Sequence, residues 1–483
     1  MTGQPTGGST ISGLPSFCRV IGSIHPEAGS DIRFEVWLPT ESWSGRLMGA
    51  GNGGLAGSIS YIDLASAVKA GQVGASTDTG HSGNPIDSSW AKGHFERVRD
   101  YGWRAMHLTT VTAKTLVQRF YGRAPDHAYF ASCSNGGRMG LMEASRFPDD
   151  YDGILAGAPA SAATKLIMSH IWVTQAQMSP GAAIRPDQVK LLQREVLSQC
   201  DGLDGRTDGL VADPRQCRFD AAKLACGTNS SPQCFTPPQL AALKKIHDGP
   251  KDRAGRQIAF GFPATGSESG VPVSFFGWEG SLAKGGGKGP VQSAFPGVML
   301  NLPPQPIASD EAFDFNKDPA RVAATLSPDV DPQPDLRRFF AHGGKLVMWH
   351  GWADATIPPQ YSLSFHQRIL NSSGPRAKTQ MRLFMAPGVQ HCFGGPGPDM
   401  FGQIGAPPTS DTPDRNVATA LIDWVEKGRT PQSLVGRLGI AGMTGMPATG
   451  PEKQRLICAY PAKAVLSPDG DPDKASSYQC KAG

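Results

Sequence analysis

Two cysteines each border a residue that can carry chemistry, and this arrangement constrains the fold more than any other feature of the sequence. Cys133 directly precedes Ser134, and Cys392 directly follows His391, although 257 positions (391 − 134) separate the serine from the histidine. A disulfide holds its two Cα atoms about 4.4–6.8 Å apart, and a serine nucleophile needs its histidine base within about 2.6–3.2 Å. If the two cysteines bond to each other, the fold must bring Ser134 and His391 together.

The other cysteines predict local disulfides. Among the nine cysteines, three further pairs bracket short loops or the C-terminal tail: Cys200 with Cys217, Cys226 with Cys234, and Cys458 with Cys480. Spacing does not establish connectivity, and a set of buried thiols is the alternative. Local pairs in segments rich in glycine and proline are poor core material, so we interpret them as disulfides, which implies an oxidising compartment.

The N-terminus bears on the compartment as well. Residues 1–5 lack the basic and apolar regions of a signal peptide, as a cytosolic protein also would. The cysteine pairs favour a secreted or periplasmic protein whose signal peptide is absent from this sequence. Cys18 has no partner in this scheme, and we expect that its partner lay in the removed segment.

Length and charge limit the classes of partner. With 483 residues, the chain exceeds the roughly 250–300 at which a single core stops growing. A net charge of +4 gives no indication of a nucleic acid or a membrane surface as partner. No stretch approaches about 18 apolar residues, so we expect no membrane span. A small-molecule substrate, with no obligate protein partner, is the expectation.

Alternating strand and helix signals predict an α/β fold, with a parallel sheet and helices on both faces. Strands are predicted at 32–39, 46–51, 73–78, 128–131, 153–157, 345–349 and 380–385, and helices at 103–121, from 135 onward and at 416–424. From about 166 to 340 the chain is rich in proline and glycine and has few long periodic segments. We therefore predict a core in two parts, residues 1–165 and 341–483 with a C-terminal extension, and a lid domain inserted at 166–340.

The segment around Ser134 predicts a nucleophile. Residues 132–136, Ser-Cys-Ser-Asn-Gly, follow a predicted strand and begin a predicted helix. A strand, a sharp turn with serine at its tip and a helix form the nucleophile elbow, usually written Gly-x-Ser-x-Gly, and here Ser132 replaces the first glycine. The backbone N–H of Asn135 is the natural oxyanion donor, and Gly53, in a glycine-rich loop after an early strand, is the predicted second donor. Taken alone, the segment also fits an ordinary strand-to-helix turn.

Asp354 and His391 complete a candidate catalytic triad. Each follows a predicted strand, and the order Ser134, Asp354, His391 is that of the α/β-hydrolases. In such a triad the carboxylate fixes the tautomer of the histidine, which takes the proton from the serine. The sequence thus predicts nucleophilic acyl transfer.

A loop between two of the paired cysteines predicts a metal site. It carries three aspartates within eight residues, and such carboxylates repel one another unless a cation is present. Ca²⁺ takes about 6–8 oxygen ligands, including backbone carbonyls. We predict a structural calcium ion in the lid, bound by the side chains of Asp201, Asp204 and Asp208 and by the carbonyls of Arg206 and Leu210. An acidic, solvated loop is the alternative.

At these motifs the chain resembles the tannase and feruloyl esterase family. The resemblance rests on Cys133-Ser134-x-Gly136-Gly137-Arg138, His350-Gly351-x-x-Asp354-x-x-Ile357-Pro358-Pro359, His391-Cys392, Gly51-x-Gly53-Gly54 and the loop at 201–210. It implies an α/β-hydrolase with a calcium-bearing lid, a disulfide between Cys133 and Cys392, and hydrolysis of esters of aromatic acids. Feruloyl and galloyl esters are the expected substrates, and mono(2-hydroxyethyl) terephthalate is the alternative within the family.

Substrate contacts are predicted from lid aromatics and from one position near the catalytic acid. Phe275, Phe276 and Trp278 could stack on an aromatic ring, although packing within the lid explains them equally well. Ile357 stands three positions after Asp354, where the terephthalate monoester hydrolase of the family has an aromatic residue. The isoleucine weakens the terephthalate interpretation.

Two other classes of function are less well supported by the sequence. A non-catalytic, ligand-binding relative would usually lack a member of the triad, and none is missing here. A redox role for Cys133 and Cys392 would be expected to come with a Cys-x-x-Cys motif, which the sequence lacks.

Overall fold

The structure is a computed structural model that describes residues 11–227, 233–269, 277–278, 296–298, 306–403, 412–438 and 453–483. The strands of its main sheet are β1 Phe17–Ile24, β2 Ile32–Pro39, β3 Arg46–Ala50, β4 Val73–Thr77, β5 His127–Cys133, β6 Gly153–Gly157, β7 Lys345–Gly351 and β8 Met381–Ala386. Their order across the sheet is β1-β2-β4-β3-β5-β6-β7-β8.

The sheet is mixed, and this corrects the prediction of a parallel sheet. The strands from β4 to β8 in that order run parallel, as predicted, whereas β2 is antiparallel to both β1 and β4. A parallel connection needs a dozen or more residues, and only residues 25–31 join β1 to β2. The short connection therefore forces a hairpin at this edge.

Helices cover both faces of the sheet, as predicted. They are α1 Tyr61–Lys69, α2 Phe95–Arg99, α3 Ala105–Tyr121, α4 Asn135–Arg146, α5 Ala163–Gln177, α6 Pro186–Cys200, α7 Pro237–Asp248, α8 Asp318–Thr325, α9 Ser327–Val330, α10 Arg337–Ala341, α11 Gln360–Ser372, α12 Arg376–Gln380 and α13 Val417–Lys427. Successive strand residues point to opposite faces: Phe130 and Ile154 pack with residues of α3 and α4, whereas Tyr129 and Leu155 pack with residues of α13.

The chain between β6 and β7 contains α5 to α10 and contributes no strand to the main sheet within its described residues. This insertion has an apolar core of its own, in which Val173, Leu192, Leu243 and Phe262 are fully or almost fully buried. At the other end of the chain, β9 Ser433–Arg437 pairs with β10 Gln454–Cys458, and β11 Lys463–Leu466 pairs with β12 Tyr478–Lys481. None of the helices in the described part of the chain has the length and apolar character needed to cross a lipid bilayer.

Candidate active site

Ser134 lies at the tip of a sharp turn between β5 and α4. Its backbone has φ 65° and ψ −127°, a region that residues other than glycine rarely adopt. The turn leaves no room for a side chain at positions 136 and 137, because a Cβ on Gly136 would lie 1.9 Å from Ser132 Oγ and one on Gly137 would lie 2.5 Å from the Gly157 carbonyl. The small residues of this segment therefore allow the backbone to present the Ser134 hydroxyl at the edge of the sheet.

Three side chains form a continuous chain of hydrogen bonds at this edge. His391 Nε2 lies 2.8 Å from Ser134 Oγ, and His391 Nδ1 lies 2.7 Å from Asp354 Oδ2. Because the carboxylate only accepts, Nδ1 carries the proton and Nε2 is left to accept from the serine hydroxyl. The three predicted residues are thus brought together in the arrangement of a nucleophile, a base and an orienting acid.

Asp354 is held ionised in a buried setting. Its Oδ1 accepts from the backbone N–H groups of Thr356 and Ile357, each at 2.8 Å. Burial alone would favour the neutral acid, but the neighbouring His391 and His350 hold the pKa of Asp354 well below its usual range. An ionised carboxylate at this position stabilises an imidazolium on His391.

A disulfide joins the two loops that carry the serine and the histidine. Cys133 and Cys392 are bonded with a Cα–Cα distance of 6.0 Å across 259 positions of sequence. The predicted local pairs, Cys200–Cys217, Cys226–Cys234 and Cys458–Cys480, are also bonded. Cys133 is the last residue of β5 and directly precedes Ser134, and Cys392 directly follows His391. The bond between them therefore fixes the distance between the two loops beside the serine and the histidine.

The two predicted oxyanion donors lie on segments that touch. A Cβ on Gly51 would come within 2.8 Å of the Gly136 Cα, so the loop after β3 packs on the first turn of α4. Gly53, further along this loop, is exposed, and a Cβ there would meet nothing within 4 Å. The side chain of Asn135 donates to the Asn52 carbonyl at 3.3 Å, which links the two segments by a hydrogen bond.

A buried guanidinium fixes the side chain of Asn135. Arg138 is fully buried, and its Nε donates to Asn135 Oδ1 at 2.7 Å. Its other nitrogens donate to the carbonyls of Gly102 at 2.7 Å and Tyr101 at 2.9 Å. Burial lowers the pKa of Arg138, and the carbonyl dipoles offset part of the cost of its charge. The sequence contained this arginine in a motif, but nothing in the motif indicated this role.

His350 and Gln390 are further residues of the site to which the sequence assigned no role. His350 Nε2 lies 3.1 Å from Asp354 Oδ2 and 2.9 Å from the Ile357 carbonyl. Both atoms are acceptors, so Nε2 carries the proton and His350 is a second donor to the acid. Gln390 donates to the carbonyl and hydroxyl of Ser267, at 3.0 and 2.9 Å, and so ties the histidine loop to the insertion. A histidine directly after a predicted strand and four positions before an acid is a signal that points to His350.

The predicted substrate contacts differ in their surroundings. Ile357 is 1% exposed and packs with Ala160, Leu166 and Tyr361. Trp278 is also 1% exposed and belongs to the apolar core of the insertion, where its ring lies 5.5 Å from that of His247. This burial favours the packing explanation for Trp278. Phe275 and Phe276 lie outside the described residues.

The aspartate loop follows α6 and centres on one buried carboxylate. Asp201 accepts from the backbone N–H groups of Asp208, Gly209 and Leu210 at 2.9–3.2 Å. Burial, followed by the nearby carboxylate of Asp208, raises the pKa of Asp204. These oxygens are of the type that calcium binds. Arg206 and Arg455 also form ion pairs with Asp208, so a cation in the loop would share that carboxylate with two guanidinium groups.

Comparisons with known proteins agree with this geometry. The family described as "Tannase and feruloyl esterase" matches residues 18–481. An uncharacterized esterase of Xanthomonas campestris is 34% identical, covering 98% of this chain and 86% of the relative. The mono(2-hydroxyethyl) terephthalate hydrolase of Piscinibacter sakaiensis is 30% identical over the same shares. The crystal structure of feruloyl esterase B from Aspergillus oryzae superposes with a TM-score of 0.87 at 26% identity, covering 100% of this chain and 94% of that one. The chain belongs to the tannase and feruloyl esterase family, and it is a carboxylic ester hydrolase with an α/β-hydrolase fold.

Proposed function

We propose that this enzyme hydrolyses esters of aromatic, phenolic acids through an acyl-enzyme on Ser134. The observation that carries the proposal is the unbroken chain from Ser134 Oγ through His391 to Asp354, with contacts of 2.8 and 2.7 Å. Ser134 is 9% exposed and His391 is 3% exposed, so the hydrogen bond between them is largely shielded from water, which strengthens it.

Each residue has one task in the proposed reaction. Ser134 Oγ attacks the ester carbonyl while its proton passes to His391 Nε2, and the imidazolium is stabilised by Asp354. The backbone N–H groups of Asn135 and Gly53 donate to the carbonyl oxygen as it becomes negative. The C–O bond to the alcohol then breaks, and His391 gives its proton to the departing oxygen. A water molecule repeats these steps on the acyl-enzyme, which releases the acid and restores the serine.

The family supports an aromatic acyl group, and feruloyl or galloyl esters are our first choice. The alternative is mono(2-hydroxyethyl) terephthalate, the compound named for the relative from Piscinibacter sakaiensis. Ile357 bears on this choice because its side chain is buried among apolar neighbours beside the acid. An aromatic residue stands at this position in the terephthalate monoester hydrolase of the family, so the isoleucine weakens the terephthalate alternative.

A panel of three esters tests the proposal. We expect kcat/KM for methyl ferulate or methyl gallate to exceed that for mono(2-hydroxyethyl) terephthalate at least about tenfold. Ser134→Ala should lower kcat by about 10⁴–10⁶-fold. Ser145→Ala, a serine on the same helix that donates to the Met142 carbonyl, is the matched control and should retain activity. Full turnover by Ser134→Ala would contradict the role of Ser134 as the nucleophile. A preference for the terephthalate ester would contradict the assignment of phenolic esters as the substrates.

We also propose a structural calcium ion in the aspartate loop. The side chains of Asp201, Asp204 and Asp208 and the carbonyls of Arg206 and Leu210 would hold it. Three carboxylates lie within eight residues of this loop, and that of Asp201 is buried, so a positive charge here would relieve their mutual repulsion. The ion would stabilise the fold and take no part in the reaction.

The compartment follows from the cysteines. Four disulfides join eight of the nine cysteines, and disulfides persist in oxidising environments. We therefore propose that the enzyme works outside the cytosol, in the periplasm or the medium. Secretion by a producing cell, followed by thiol titration of the denatured protein, tests this: one free thiol, from Cys18, is expected.

A further inference from the structure

Three titratable side chains meet near the C-terminal end of α4, the helix that begins after Ser134. His107 lies on α3, Glu143 in the last turns of α4, and Asp150 in the turn before β6. One ligand atom of each lies within 4.8 Å of the others. His107 Nδ1 is 2.7 Å from Asp150 Oδ2. The ester hydrolysis described above uses none of these residues.

Glu143 is the unusual member of this group. It is 1% exposed, and both of its carboxylate oxygens are buried without a hydrogen-bond donor from the protein. Burial and the facing carboxylate of Asp150 raise its pKa. Lys114 acts on it only through space, while the Lys114 Nζ donates to the Asp149 carbonyl at 3.1 Å. Two carboxyl groups that face each other in this way need a cation or a proton between them.

We propose that His107, Glu143 and Asp150 form a binding site for a divalent transition-metal ion of the zinc class. Zn²⁺ binds histidine nitrogen and Asp or Glu oxygen, and a site with three protein ligands takes water as the fourth. Imidazole is a poor ligand for calcium, so this site selects a different ion from the aspartate loop.

The geometry needs only a small adjustment. Tetrahedral Zn²⁺ with bonds of about 2.0–2.1 Å places its ligand atoms about 3.3 Å apart. The nitrogen and oxygen now at 2.7 Å must separate slightly, and the third ligand atom, within 4.8 Å, must approach. The His107 ring is already fixed by stacking on Phe147, with ring centroids 3.7 Å apart. The His107 side chain is 26% exposed and that of Asp150 is 11% exposed, so an ion reaches the site from solvent.

The position of the site gives it a structural task. Glu143 is nine residues after Ser134, about 13 Å along a helix that rises 1.5 Å per residue. An ion bound here joins α3, the end of α4 and the turn before β6. It therefore anchors the helix that carries the nucleophile at its other end, without contact with the substrate.

Zinc binding by the whole enzyme in excess calcium chloride tests the proposal. The metal-free enzyme is titrated with Zn²⁺ by calorimetry, and its bound zinc is counted after dialysis. We expect one equivalent and a rise in Tm. His107→Gln and Glu143→Gln should each weaken binding at least about tenfold. His25→Gln is the matched control, because His25 lies 3.1 Å from Asp31 in an exposed pair without a buried third ligand, and it should bind zinc as the unaltered enzyme does.

If the unaltered enzyme takes up no more zinc than His107→Gln does, the proposal is overturned. Glu143→Gln would then keep or raise the Tm at neutral pH, because its amide can donate to Asp150 in place of a shared proton. Loss of zinc binding in His25→Gln would also overturn it, since the ion would then be held at the surface.

Discussion

The catalytic edge of the sheet and the aspartate loop are held together in opposite ways. At the edge, the hydrogen bond from Ser134 to His391 spans 257 positions, and the disulfide beside it spans 259. In the loop, Asp201 bonds to backbone groups seven to nine positions further on, inside a disulfide that spans 17. A short stretch of chain is enough to form the bonds of Asp201, whereas the catalytic edge exists only when the whole sheet has assembled.

The sharpest test of this contrast exchanges one buried aspartate in each region for asparagine. In Asp354→Asn the amide can donate to His391 and stabilise the wrong tautomer, so kcat should fall about 10⁴-fold. Asp201→Asn should leave kcat within about twofold and lower the free energy of unfolding by about 1–3 kcal/mol, because its N–H partners lose a charged acceptor. Steady-state kinetics and urea unfolding measure both. A large loss of kcat in Asp201→Asn would erase the distinction.

The disulfides offer a second comparison. Removal of the bond between Cys133 and Cys392, which closes a loop of 259 positions, by double alanine substitution should cost about 5–6 kcal/mol of stability and at least about tenfold in kcat/KM, because the serine and the histidine lose their tether. The same change at Cys458 and Cys480, which closes a loop of 22 positions, should cost about 3 kcal/mol and leave kcat/KM nearly unchanged. Equal losses of kcat/KM in the two variants would show that the long-range bond has no special role.

Removal of calcium should act on the loop alone. If the ion is present at about 100 times its Kd, it contributes about 2.7 kcal/mol, so an excess of chelator should lower the Tm by several degrees. The kcat at 25 °C should stay within about twofold. Asp204→Asn should abolish the response of the Tm to the chelator. A Tm that is the same in calcium and in chelator would contradict the calcium proposal.

Acid should destabilise the fold through three buried histidines, one of which lies beside the loop of the catalytic acid. Burial lowers the pKa of His81, His170 and His366 to about 4. The unfolded chain takes up these protons near pH 6.5, so between about pH 6.5 and 4 it binds more protons than the folded chain. The free energy of unfolding should therefore decrease as the pH falls through this range, by about 2 kcal/mol per histidine at pH 5.

Urea unfolding at pH 7 and pH 5 measures this decrease. His170 contacts the Thr356 carbonyl at 2.9 Å, next to the loop of the catalytic acid. In His170→Gln, part of the pH dependence should disappear. Identical unfolding curves at the two pH values would refute the prediction.

Much of the sheet could be predicted from the sequence because its strands are short apolar runs bounded by turns. The same signals gave the positions of Ser134, Asp354 and His391 at the ends of strands. The hairpin of β1 and β2 could not be deduced in this way, since the segment of β1 was not recognised as a strand. Long-range partners were also beyond reach: no local pattern joins Arg455 to Asp208, 247 positions away. The role of His350 as a second imidazole donor to Asp354 was missed because a histidine among apolar residues is often part of the core.

The left-handed backbone at Ser134 restricts which nucleophiles could replace serine over evolutionary time. Threonine is branched at Cβ, and such residues are true outliers at positive φ. Cysteine would fit the turn, but its thiolate would sit directly beside the bond between Cys133 and Cys392 and could attack it by thiol–disulfide exchange. The turn excludes threonine and the neighbouring disulfide excludes cysteine, so serine is the nucleophile that this position accepts.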